Sequence, residues 1–200
     1  VAGLQPLRAR FDGDRVPGVR LSPRLAEPVR EVLADPALRR IVVVSAAFAA
    51  TQGVYAAFFV TFLVERAAVS LVAAGLALTA GQTVAIAARV LWGALAERLL
   101  ATRHALALIG AIMSAAALAA ILVGPETPFA LLLALSVTFG LSALGWNGLY
   151  LAEVARVAPG AAARATGGTL AFTFAGTMAM PTLFSFAVAL GGWSLALALL

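Results

Sequence analysis

The chain of 200 residues contains no cysteine and no lysine, and only one histidine and two tyrosines. Without cysteine it has no disulfide framework, no thiolate nucleophile and no thiolate metal site. Without lysine it has no lysine-dependent phosphate loop of the kind an ATP-driven pump needs. Carboxylates are also scarce: the nine Asp and Glu residues avoid the interiors of the apolar runs, and His104 sits at the edge of one. An intramembrane enzyme needs an embedded nucleophile with its base, or a set of metal ligands, and the inventory supplies neither. No catalytic residue, metal ligand or cofactor is therefore expected.

What fills the chain instead is apolar. Hydrophobic residues make up 62% and charged residues 12%, and the mean hydropathy is +1.01. A water-soluble domain of that composition would expose large apolar patches, so the lipid bilayer is the expected surrounding. The net charge of +5 is no argument for nucleic acid, because a basic patch recruits nucleic acid only from a soluble surface. All fourteen basic residues are arginine; eight lie in the first forty positions and most of the others in short gaps between apolar runs.

A helix needs about 20 mainly apolar residues to cross a hydrocarbon core of roughly 30 Å. Runs of that length give spans at about 38–64, 68–95, 104–124, 128–152 and 165–190. The charge-free stretch 165–200 is too long for one crossing, and Gly191-Gly192 is the natural turn. A sixth span then starts near Trp193 and is expected to be truncated at 193–200, as is the start of the chain. Residues 1–37, rich in Arg and Pro, read as a linker arm. Within it "EPVREVLADP" can form a short amphipathic helix with Val29, Val32 and Leu33 on one side, and Asp35-Pro36 reads as the N-cap and first turn of the first span.

Arginine is retained on the cytoplasmic side of a membrane. Taking gaps alternately, one side receives the arm, Arg98 with Arg103, and Arg156 with Arg164; the other receives Arg66 and the "GPETP" turn. The arm and the "AERLLATRH" loop are thus expected in the cytoplasm.

At the end of the second span Gly93, Leu95, Ala96, Glu97 and Arg98 read G-x-L-A-E-R. This resembles the G-x-L-A-D-R-x-G-R-R loop of the major facilitator superfamily, in the weaker copy between the eighth and ninth helices: Glu replaces Asp, and Leu100, Ala101 and Thr102 stand where a Gly and two basic residues would be. "GWNGLYLAEVARVAP" and "RATGGTLAFTFAGTMAMP" are similar to the tenth helix, its cytoplasmic loop with Glu153, Pro159 and Arg164, and the eleventh helix. The first span, with "LADPALRR" ahead of it and Gln52 within, resembles the seventh. The resemblance implies an all-α polytopic bundle, the C-terminal half of that fold, in the plasma membrane of a bacterium. It implies secondary active transport of a small-molecule solute by alternating access, with a missing N-terminal half as partner and no activity alone. A non-transporting membrane scaffold or assembly subunit is the alternative.

Under that resemblance Gly93, Glu97, Arg98, Glu153 and Arg164 would make breakable contacts at the inner gate. Gly93 would admit another backbone, Glu97 would approach the positive end of the fifth span, and Arg98 and Arg164 would pair with Glu153. The competing reading is that they are solvated charges that fix topology. Arg89, one turn inside the second span, either snorkels or pairs at the gate, or holds a substrate anion beside Gln82 and Ile86. Pro181 should kink the fifth span. For the substrate site, Gln52, Gln82 and Asn147 are favoured because an amide in hydrocarbon needs a partner; Tyr55 and Thr173 complete the set.

Overall fold

The structure, a computed structural model, describes residues 26–200; residues 1–25 of the expected arm lie outside them. The described residues are all-α: α1 (Ala26–Ala34), α2 (Pro36–Ala67), α3 (Leu71–Arg98), α4 (Thr102–Ile121), α5 (Phe129–Ala143), α6 (Asn147–Val157) and α7 (Ala162–Ala198). With α5 and α6 counted as one interrupted segment, five helices are long and apolar enough to cross a membrane, and the chain reads as a multi-pass membrane protein.

The helix starts follow the sequence. The Asp35 carboxylate accepts from the N–H groups of Ala37 and Leu38 at 2.7 and 3.2 Å, with Pro36 in the first turn of α2. Such a cap is worth about 1 kcal/mol. Helix α1 buries Val32 completely, leaves Val29 half-buried and Leu33 exposed, and lies on the start of α7, where Gly168 leaves room for Pro28 and Val32. Arg164 reaches Glu31 there at 3.4 Å.

Two helix pairs pack most extensively, α2 with α7 and α3 with α5. Both cross at glycines. A Cβ on Gly53 would lie 2.7 Å from Thr177 O, and one on Gly176 would lie 2.6 Å from Ala46 O. On the other pair, a Cβ on Gly140 would overlap the Gly81 carbonyl. Where lipid tails are as apolar as the side chains, close backbone approach replaces hydrophobic burial as the source of association.

One boundary departs from the sequence reading. The fourth span, expected to be continuous over 128–152, is interrupted between Ala143 and Asn147. The fifth carries Pro181 without leaving helical dihedrals, and its one departure is Gly192 (φ 72°, ψ −176°). Proline frees the carbonyl four residues earlier, and Gly53 packs directly on that carbonyl, Thr177 O. The turn expected at Gly191-Gly192 is present. After it Trp193 packs edge-on against Phe62 and donates to Glu65, and Leu200 lies beside Phe48 and Met113, so the chain runs back along α2.

Candidate functional site

The interruption between α5 and α6 is the least regular part of the membrane-spanning backbone. Gly145 and the pair Asn147-Gly148 are poor helix formers, and a broken helix leaves carbonyls and N–H groups that hydrocarbon cannot satisfy. Side chains satisfy the carbonyls here. Trp92 Nε1 donates to Leu141 O at 2.8 Å, Arg89 Nε donates to Leu144 O at 3.3 Å, and Trp146 Nε1 donates to Ala143 O at 3.0 Å. Gly145 lets the Trp92 ring approach, since a Cβ there would lie 2.8 Å from it. The guanidinium of Arg89 also sits at the negative end of the α5 dipole. Helix α3 therefore caps the interruption, and Arg89 has a third role that neither expectation included.

On the far side of the gap Asn147 opens α6, and its Nδ2 donates to Gln52 Oε1 at 3.4 Å. Gln52 is at the midpoint of α2, and both amides are half-buried. The pair uses one donor and one acceptor, which leaves the Gln52 NH2 and the Asn147 carbonyl for another partner. No other side-chain hydrogen bond engages either amide among the described residues. Gly148 beside them is exposed, with open space where a side chain would be. Two candidates widely separated in sequence thus meet at an interrupted span.

The other candidate residues lie elsewhere. Tyr55 is 3% exposed. The Ser136 hydroxyl donates to Ala77 O at 2.6 Å, so Tyr55 Oη donates to Ser136 Oγ at 3.0 Å and ties α2 to the α3–α5 crossing. Thr173 is buried at the α2–α7 contact, within 3.2 Å of both Ser45 Oγ and Thr169 O and 3.5 Å from Tyr150 Oη. Each is held by protein groups. Gln82 is exposed on α3, beside Thr79 and Thr83, whose hydroxyls bond back to Gly75 O and Thr79 O.

Of the gate candidates, Gly93 has open space where a Cβ would be, and Glu97 and Arg98 are exposed at the end of α3. Glu153 pairs with neither Arg98 nor Arg164. Its carboxylate, 7% exposed, takes Arg156 one turn away in a two-pronged pair, with Nε to Oε2 at 2.8 Å. Spacing explains this: residues three apart face one another on a helix. The positive end of α7, where Glu97 was expected, is covered by α1 through Val32 against Gly168.

Sequence reading missed Trp92 and Ser136. Trp92 lies three residues after Arg89, on the same helix face, and a tryptophan needs an acceptor when buried. Searches against protein-family models, curated proteins and solved structures find no match to the chain.

Proposed function

We propose that the chain forms one bundle of a secondary active transporter of the major facilitator type, which moves a small polar solute by alternating access between this bundle and an N-terminal one. The observation that carries this reading is the meeting of Gln52 and Asn147 at the interrupted span. Transporter sites are commonly built near mid-membrane from discontinuous helices, because irregular backbone is tolerated there only where it is buried or lines a cavity.

The packing supports the same reading. If the first three spans are mapped onto the next three, α2 corresponds to α5 with α6, and α3 to α7. The two dominant pairs, α2 with α7 and α3 with α5, are then exchanged by that mapping, as the inverted repeats nested in each half of this fold require. The exposed amide of Gln82 supports an opposing bundle, since an amide facing lipid lacks a partner. In this reading Gln52, Asn147 and Gln82 contact the solute. Tyr55 and Thr173 hold helices together. Gly93, Glu97, Arg98 and Arg164 lie at the cytoplasmic side, where the two bundles meet in the outward-open state.

The test is uptake by proteoliposomes of the full-length gene product, screened across small carboxylates, amines and sugars under a proton or sodium gradient. Saturable uptake of at least one class is expected. Replacing Gln52 by Ala should raise its half-saturation roughly threefold to tenfold, the loss of one neutral hydrogen bond of about 0.5–1.5 kcal/mol, with the melting temperature nearly unchanged. Gradient-independent leakage alone, or a Gln52→Ala variant that melts lower and transports with unaltered affinity, contradicts the proposal and favours the scaffold.

A further inference from the structure

Every other charged side chain of the five membrane-spanning helices lies in the first or last five residues of its helix, whereas Arg89 lies more than two turns inside α3, which ends at Arg98. A charge at that depth is costly and persists where it meets a partner, an aqueous cavity or a ligand. Leu144 O answers only part of its need. A guanidinium has five N–H donors, and the bond to Leu144 O uses the one on Nε. No other hydrogen bond or ion pair engages Arg89 among the described residues, so both Nη groups keep their donors.

The backbone sets where those donors are. Leu144 stays in the right-handed helical region (φ −112°, ψ −14°), so its carbonyl is aimed along the chain at the N–H four residues on, that of Gly148. Arg89 takes the carbonyl instead, and no bond from Gly148 to Leu144 O forms. The guanidinium is therefore beside Gly148, the residue after Asn147 and its bond to Gln52. An interruption frees carbonyls and N–H groups alike, but here the two are not met alike. The carbonyls of Leu141, Ala143 and Leu144 are taken by Trp92, Trp146 and Arg89. Left over are donors, on the Arg89 Nη groups, the Gly148 N–H and the Gln52 amide, against the one carbonyl of the Asn147 side chain.

We infer that the solute of this site is a small organic anion, its carboxylate held by the two Nη groups of Arg89 and its uncharged polar end by the amides of Gln52 and Asn147. This rests on the transporter reading above and adds the sign of the cargo to it. A carboxylate matches the planar fork of a guanidinium in charge and shape. The protein's own carboxylates nearest along these helices are engaged or remote. Glu153 is held by Arg156, and Glu97 is exposed eight residues further along α3, about 12 Å at 1.5 Å per residue.

The test is uptake by proteoliposomes of the full-length gene product at neutral pH, with lactate, malate and succinate each offered beside its uncharged amide. Saturable uptake of at least one acid, and not of its amide, is expected. Arg89→Gln keeps a donor for Leu144 O and removes the charge, so it should raise the half-saturation of that acid roughly tenfold to hundredfold with the melting temperature nearly unchanged. Arg89→Lys, which keeps the charge and loses the fork, should fall between the two. One arm needs no variant: the transported acid should raise the melting temperature of the parent protein in detergent, and its amide should not. Equal uptake or equal thermal protection by acid and amide overturns the inference. An acid preference that survives Arg89→Gln also overturns it and assigns Arg89 to a carboxylate of the opposing bundle or to the cap alone. Saturable uptake of an amine or a sugar with none of the acids overturns the anion and leaves the transporter reading standing, whereas no saturable uptake of any class rejects that reading and the inference with it.

Discussion

At the residue scale the side chains divide by whether the protein alone satisfies them. Ser136 and Tyr55 form a closed chain of donors ending on Ala77 O. Removing the two ends of that chain should have unequal costs. Tyr55→Phe deletes a donor together with its need and should cost about 0.5–1.5 kcal/mol, whereas Ser136→Ala leaves the buried Tyr55 hydroxyl only the longer bond to the carbonyl of residue 136 at 3.4 Å and should cost about 1–3 kcal/mol. Thermal unfolding in detergent checks the order, and a larger loss for Tyr55→Phe would contradict this account of the bond. Gly140 makes a sharper case, because a Cβ there meets backbone rather than a movable side chain. Gly140→Ala should therefore destabilise by about 1–3 kcal/mol, the usual cost of overpacking.

At the element scale the sequence was most legible where the cause is local. The Asp35-Pro36 cap, the amphipathic α1 and the reversal at Gly192 all follow from a few neighbouring residues. The interruption between α5 and α6 was not read, because its partners Trp92 and Arg89 are 49 and 55 residues away in sequence. The local signal was "GWNG", a breaker-rich tetrad that a charge count overlooks. If Arg89 caps α5, Arg89→Leu should leave Leu144 O unpaired and cost about 1–3 kcal/mol, with partial rescue by Arg89→Lys through the helix dipole. Unfolding midpoints of the three proteins decide this, and equal stability of Arg89→Leu and the parent would remove the cap. The same logic applies to α1. Val32→Asp should free it from Gly168, seen as faster hydrogen exchange over residues 26–34 with the spans still protected.

At the scale of the whole molecule, the count of spans came from runs without charge, and the structure has helices at each of them. Which residues share a site was less legible, because helix periodicity gives faces but not partners. Gln52 and Asn147 meet, while Tyr55 and Thr173, also polar and within the spans, are spent on packing. The orientation rests on arginine bias alone and is open to direct test. Cysteine at Thr102, at the start of α4, should react only with reagents admitted to the cytoplasm, and cysteine at Glu126, in the opposite turn, only from outside. The reverse pattern would invert the topology.

The central claim is that the gap beside Gln52 and Asn147 is reached by water from each side in turn. The 200 residues contain no cysteine, so with any cysteine elsewhere in the full-length gene product replaced, a single Gly148→Cys variant reports on that position without background. Right-side-out and inside-out vesicles, each treated with a small charged thiol reagent that does not cross the bilayer, should both show modification. In each, chemically locking the bundles closed on the reagent's side should abolish it. Absence of reaction from both sides, as for a residue facing lipid, or reaction from one side only under every condition, would contradict alternating access at this site.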